Sequence, residues 1–297
     1  MAPTMNAGDE GPPLVTIALP AWNSATTLHR TLASVLRQTF PSWELLVMDD
    51  GSSDDTVRMA RDTGDPRVRV HADGRHAGLA TRLNQAIDLA RGRYFARMDA
   101  DDIAYPQRLQ TQLAFLEAHP DVDLVAARAL AFRGNGQAIG LLPFRGTHEA
   151  ICARPWSGIP MPHPTWFGRI DWFRRHRYAV PDALRAEDQE LLIRALPGSR
   201  YAACPEILLG YRQGAYSVTR LLKGRYGRAR AYARNALPRG EWLGLAACTG
   251  VTLLKAGIDV LAAMPGCDAL FFRRMGRMPD AADLQDWNAL WSRLGTA

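Results

Sequence analysis

RGRYFARMDADDIAYPQRL, residues 91–109, decides how the rest of the chain reads. Tyr94 to Met98 forms a short strand that ends at Asp99, and Pro106 opens a helix running to Ala118, where proline suits the first turn. Between the two lie Asp99, Ala100, Asp101 and Asp102. Two carboxylates one residue apart at a strand end can converge on a hard divalent cation. Mg²⁺ or Mn²⁺ prefers oxygen ligands and often keeps diphosphate oxygens in its shell. Taken alone, such an acidic loop is more often a solvated turn.

The same strand-then-helix grammar extends outward. Leu14 to Leu19 reads as a buried strand stopped by Pro20, and Ser24 as the cap of a helix with Leu28, Leu32, Val35 and Leu36 on one face. Glu44 to Met48 is a second strand, followed by Asp49, Asp50, Gly51 and Ser52 and by a helix from about Asp55. Val68 to His71 is a strand, Ala80 to Arg91 a helix and Asp123 to Ala127 a further strand. This alternation implies an α/β fold with a mostly parallel sheet covered on both faces. Ligands bind beyond the carboxyl ends of such strands, and the Asp clusters fall there. Phe132 to Pro164 is irregular and rich in Gly and Pro. Helical patterns return at Ile170 to Arg177 and Glu187 to Leu196.

Three more groups could carry chemistry. Asp50 can accept the imide N–H of uracil or an amino group of guanine, with Gly51 allowing a sharp turn beside a ligand. A capped strand-to-helix turn explains the same residues. Trp22, in the segment Pro20-Ala21-Trp22-Asn23, can stack on a nucleobase or fill a core. Glu187 and Asp188 open a helix, where a carboxylate is usually a cap but can be a general base.

Their order is more specific than any one of them. PAWN (20–23), ELLVMDDGSSDDT (44–56), the stretch 91–109, HPTWF (163–167), AEDQELLIRAL (186–196) and PEILLGYRQGAYSV (205–218) together resemble family 2 glycosyltransferases, over about Leu14 to Thr219. The resemblance implies a GT-A fold and an inverting, metal-dependent transfer of a sugar from a nucleotide sugar, a UDP-sugar by expectation, to an acceptor hydroxyl. It places Pro20, Trp22, Asn23, Asp50 and Gly51 around the nucleoside. Asp99, Ala100 and Asp101 fall on the DxD that holds ribose and the metal on the diphosphate, with Asp101 the more direct metal ligand and Asp99 the second. Asp188 matches the catalytic base. His163 and Glu187 fall on the acceptor side. Trp22 stands where Tyr or Phe is commoner, and Asp102 adds a third carboxylate without an assigned role. Bacterial relatives of this kind often extend polysaccharide or lipopolysaccharide on a polyprenyl carrier, so a glycan or polyprenyl-linked acceptor is expected.

The remaining features bound this reading. Hydrophobic residues make up 47% and charged ones 22% of 297 residues, ordinary for a globular protein. Cys152, Cys204, Cys248 and Cys267 form no CxxC pair, which fits a reducing cytosol. Residues 1–13 lack a signal-peptide pattern and read as a disordered lead-in. The net charge of +6 lies entirely in residues 217–297, which hold 12 basic and 6 acidic side chains (12 − 6 = +6). Within residues 220–297, expected as a basic, amphipathic helical extension of a catalytic domain at 14–219, Arg220 to Arg239 carries seven basic residues and no acid. Leu243 to Met264 is apolar apart from a stripe of Thr252, Lys255 and Asp259. Two ionisable residues within it argue against a membrane span. A helix that packs on the protein or lies on an anionic membrane fits better, at the cytosolic face of the inner membrane. No RNA- or DNA-binding pattern accompanies the basic stretch, so no nucleic-acid partner is expected. A nucleotidyltransferase would carry a Gly-rich phosphate loop after the first strand, where PAWN stands instead. A non-catalytic carbohydrate- or membrane-binding protein on the same scaffold would not need all these carboxylates.

Overall fold

The computed structural model describes residues 11–180, 186–214, 217–262 and 277–295. Most of the expected lead-in, and Cys267, lie outside them. Among the described residues one nine-stranded sheet runs through the molecule. Its parallel half consists of β1 (Val15–Ala21), β2 (Trp43–Asp49), β3 (Val68–Ala72) and β4 (Tyr94–Arg97), side by side in the order β3-β2-β1-β4. The other strands are β5 (Ile103–Ala104), β6 (Leu124–Phe132), β7 (Ala138–Leu141), β8 (Phe167–Arg169) and β9 (Tyr201–Arg212). β8 pairs antiparallel with both β4 and β6, β9 runs parallel to β6, and β5 and β7 close on β9 and β6.

Period-two alternation along the buried strands sorts their side chains into two layers. Ile17, Leu19, Leu45, Val47 and Ala96 face α1 (Ala25–Leu36), α2 (Thr56–Arg61) and α4 (Arg108–Ala118). Ala18, Leu46, Met48 and Phe95 face α3 (Leu79–Leu89), α6 (Ile170–Arg175) and α7 (Glu187–Ala195). A short α5 (His148–Cys152) lies in the stretch expected to be irregular, as does β7.

Pro20 does not stop the first strand. In β1, Ala18 accepts from Met98 on the β4 side and Ala21 accepts from Asp50 on the β2 side. Pro20 therefore faces the β4 side, past the end of β4, where no ladder N–H is needed. Ser24 sits at the N-cap of α1, but its hydroxyl bonds Trp22, and Asp54 accepts from the Ala25 N–H instead.

After β9 the chain makes a helical hairpin, α8 (Val218–Ala236) and α9 (Trp242–Ala262), against α7 and the turn at Pro155–Ser157. The polar stripe of α9 faces the protein. Thr252 accepts from Arg228, Lys255 donates to Ser157, and Asp259 pairs with Arg225. Its opposite face is apolar and exposed, with Leu243, Leu253, Leu254, Val260 and Leu261. By length and composition α9 could cross a membrane.

The last helix, α10 (Ala281–Leu294), is no loose tail. A capping box of Asp280 and Asp283 starts it. Trp287 is fully buried among Tyr105, Phe132 and Trp291, and donates to the Gly136 carbonyl at 2.7 Å. Gly210 of β9 allows that approach, since a Cβ there would lie 2.4 Å from the Trp287 ring.

Candidate active site

Two cavities open at the carboxyl ends of β1, β2 and β4. The first, about 770 Å³, is lined by Pro20, Trp22, Asp50, His76, Asp99 and Glu187 among others. The second, about 620 Å³, is lined by Arg97, Asp99, His163, Glu187, Asp188 and Gln189 among others. Leu79, Asp99 and Glu187 wall both, so the two are continuous neighbours.

Trp22 is 55% exposed and leans over the His76 ring, with centroids 4.8 Å apart. Its rim position, outside the core, is what a base-stacking residue needs. Beneath it Asp50 accepts from the Ala77 and Gly78 amides (2.7 and 3.0 Å) and from Arg82 Nε at 3.0 Å, and His76 Nδ1 lies 3.0 Å from its second oxygen. Asp50 thus ties residues 76–78 to the end of β2 while still lining the cavity. Arg82, fully buried on α3, is balanced by Asp50 and Asp73.

Four expected donor-site residues, Asn23, Gly51, Ala100 and Asp101, line neither cavity. Asn23, at φ 47°, accepts from the Ser53 amide at 2.8 Å, joining the loop after β1 to the turn after β2. Gly51 has φ 76°, and a Cβ there would meet the Arg75 carbonyl carbon at 3.0 Å. Ala100 is buried, and its carbonyl accepts from Thr27 and Thr31 of α1.

Asp99, Asp101 and Asp102 each offer a carboxylate oxygen, all within 4.8 Å of one another. Their environments differ. The guanidinium of Arg97 grips both oxygens of Asp99 at 2.6 Å. Asp101 is pushed up to about 6, first by burial and then by Asp99, against the pull of Arg212 and Arg97. Asp102 is fully buried; one oxygen accepts from the Arg212 amide at 2.8 Å and the other has no partner. Burial, then Asp99 and Asp101, hold it well above the carboxylate range. Crowded oxygen donors with raised proton affinity and one orphaned oxygen fit a hard divalent cation.

This crowding would make the binding of a divalent ion here pH-dependent. A proton on Asp101 would compete with the ion, so affinity should be full above about pH 6 and fall by up to about tenfold per unit below it. Titration of the nucleotide-free protein with Mn²⁺, followed by electron spin resonance, should give weaker binding at pH 5 than at pH 8. Equal affinities would remove Asp101 from the ligand set.

Across the second cavity Glu187 and Asp188 begin α7. Burial raises Asp188, partly offset by the amides and side chain of Gln189, whose Nε2 donates to it at 3.3 Å. Burial and the charge of Asp188 push Glu187 up to about 7. His163 is buried against Trp166, with Nε2 2.7 Å from the Tyr178 hydroxyl. Burial and then Arg97 keep its imidazole well below its usual range, hence neutral. Arg97, the buried cation at the junction, was not among the expected site residues; nor were His76 and Gln189.

Known proteins match these features. The family model described as Glycosyl transferase family 2 covers residues 16–177. The chain is 32% identical over 196 residues to EpsE of Bacillus subtilis, spanning 64% of this chain and 68% of that protein. It is 37% identical over 103 residues, 35% of this chain and 41% of the other, to the UDP-Glc:alpha-D-GlcNAc-diphosphoundecaprenol beta-1,3-glucosyltransferase WfgD of Escherichia coli. Among solved structures, TarS 1-349 of S. aureus in complex with UDP-GlcNAc superposes with TM-score 0.57 at 17% identity, covering 95% of this chain and 91% of that one. The mannosyltransferase PcManGT of Pyrobaculum calidifontis, in complex with GDP-Man and Mn²⁺, gives 0.57 at 16% identity, covering 95% and 88%. Likeness at that identity shows a shared fold.

Proposed function

Since the chain belongs to glycosyl transferase family 2, we propose that it moves a sugar, with inversion, from a nucleoside-diphosphate donor, a UDP-sugar, to an acceptor hydroxyl. The observation that carries this is the row of groups along one trough, Trp22 and Asp50 at one end, Asp99 between and Asp188 beyond, with an Asp101 carboxylate oxygen within 4.8 Å of one of Asp99. Trp22 stacks on the base and Asp50 accepts its N–H. Asp99, already held by Arg97, turns its remaining lone pairs to the ribose. Asp101, with Asp99, would hold Mg²⁺ or Mn²⁺, which when bound offsets charge on the departing diphosphate. Glu187, expected on the acceptor side, walls both cavities and so stands where donor and acceptor meet; Asp188 walls only the second and faces the acceptor. Asp188 takes the acceptor hydroxyl proton as that oxygen bonds to the anomeric carbon. The bond from that carbon to the diphosphate oxygen breaks on the opposite face, and the centre inverts. Neutral His163, bonded to the buried Tyr178, lines the acceptor side.

Donor hydrolysis tests the reading without knowledge of the acceptor. The purified protein should release UDP slowly from a UDP-sugar in Mn²⁺ and stop in excess EDTA. A screen of nucleotide sugars in which none is cleaved or stabilises the fold would refute it.

We further propose that the acceptor is a glycan carried on a polyprenyl-type lipid, reached from the cytosolic membrane face. The support is the hairpin itself. The exposed residues of α8 include Arg220, Lys223, Arg230 and Arg234, and α9 adds its exposed apolar face. A basic stripe beside an apolar one suits an anionic bilayer surface. Wild-type protein should float with anionic vesicles at low salt and only weakly at high salt. The Leu243→Glu, Leu253→Glu double variant should stay at the bottom. Equal flotation of both would end the membrane reading.

A further inference from the structure

A third cavity, about 770 Å³, adjoins the second and shares Pro143, Ile159, Pro160 and Gln189 with it. Five cations line it, namely Arg145, Arg154, Arg225, Arg228 and Lys255, and among the described residues no carboxylate does. They come from both sides of α5, from α8 and from α9, so three separate parts of the chain deliver positive charge to one concavity. Like charges gathered this way repel, and a fold that needed only packing would not collect them.

The hydrogen bonds of Arg145 and Arg228 go to neutral groups. Arg228 is 8% exposed and donates to the Ser157 carbonyl and to Thr252 Oγ1, the latter at 3.2 Å. Lys255 donates to the carbonyl and hydroxyl of Ser157, both at 3.2 Å. Arg225 is held by Asp259. Arg145 and Arg154 reach in from the exposed rim, Arg145 donating to the Phe144 carbonyl at 2.8 Å. Arginine forks and a lysine ammonium around a water-accessible hollow are the recognition chemistry of phosphate oxygens.

Position gives the phosphate its owner. Gln189 lines this cavity and the second one, and its amide donates to Asp188. We propose that the cationic cavity is a subsite for a phosphate or diphosphate on the acceptor, placed while the acceptor's hydroxyl lies at Asp188. This rests on the glycosyltransferase reading above. Lys255 faces the cavity from one side of α9, and Leu243, Leu254 and Leu261 lie on the opposite, exposed side. One helix therefore separates the anion subsite from a surface suited to an acyl or prenyl chain.

Full-length protein in EDTA, which silences the metal site, can be titrated calorimetrically with geranyl diphosphate, inorganic diphosphate and geraniol. Geranyl diphosphate should bind and geraniol should not. The Arg145→Ala, Arg154→Ala double variant and Lys255→Gln should each weaken geranyl diphosphate at least tenfold. Binding of UDP with Mn²⁺ to the same variants should stay unchanged. If inorganic diphosphate binds as tightly as the geranyl ester, the subsite stands and reads a soluble phosphorylated acceptor; tighter geranyl binding marks a lipid-linked one. No binding to wild type, or equal binding to wild type and both variants, overturns the subsite. Failure of UDP with Mn²⁺ to bind wild type would sink the donor reading and leave the subsite standing.

Discussion

Asp188→Asn is expected to yield a folded protein that binds UDP and Mn²⁺ normally and transfers sugar about 10² to 10⁴-fold more slowly, the usual contribution of a general base. The asparagine keeps an oxygen to accept from Gln189 Nε2, so α7 and the wall of the second cavity should be preserved. What it lacks is a group that can take a proton. The loss should therefore appear in kcat, with donor KM nearly constant. The wild-type profile supplies a second signature. Burial raises both carboxyls of the pair, and the charge of Asp188 raises Glu187 further, to about 7. Activity should fall as pH drops through the range between about 7 and the ordinary carboxylate range, because the protonated base cannot act. If Glu187→Gln is dead and Asp188→Asn active, the base is Glu187 and the reading moves by one residue.

Asp101→Asn should be nearly as damaging, for a different reason. With Asp99 gripped by Arg97, Asp101 has the freer carboxylate, and its loss should lower Mn²⁺ affinity by about 100-fold or more, the upper end of what even an outer-sphere partner contributes. Unlike a structural substitution, this one should stabilise the metal-free fold. Asp101 titrates higher folded than unfolded, so its ionised form opposes folding. That penalty is full above about pH 6 and absent below the unfolded value. The variant's Tm, measured without metal, should exceed wild type at pH 8 and match it at pH 3.5. Unchanged activity in EDTA, or a lowered Tm at pH 8, would refute the assignment.

Local periodicity made much of this molecule readable in advance. β2, α3 and the DxD turn are short-range patterns, and their positions follow from alternation and from Pro106. Arg97 was readable too: a lone charge in a buried run, two residues before Asp99, must share a strand face with it. His76 and Arg82 were not, since only the fold brings them to Asp50, 26 and 32 residues away. β8 escaped because three residues carry no period, and its pairing depends on Gly168, whose Cβ would press on the Asp123 carbonyl at 2.9 Å. At Asp50 and Gly51 the sequence allowed either a capped turn or a nucleoside contact. The turn after β2 is a capped, braced turn, and Asp50 alone also lines the cavity.

The burial of Trp287 against Phe132 and Tyr105 sets an order of events during synthesis. Phe132 leaves the ribosome 155 residues before Trp287 (287 − 132), an interval of about 8 to 30 s at typical elongation rates. For that time the Phe132 side of β6 stays without the ring that covers it in the folded chain. A nascent chain in this state has a greasy surface whose remedy is encoded downstream. Truncation after residue 219 removes that remedy, so a shortened chain would aggregate for reasons unrelated to lipid. Stop codons late in the reading frame should thus act as folding mutations that leave Asp99, Asp101 and Asp188 in place.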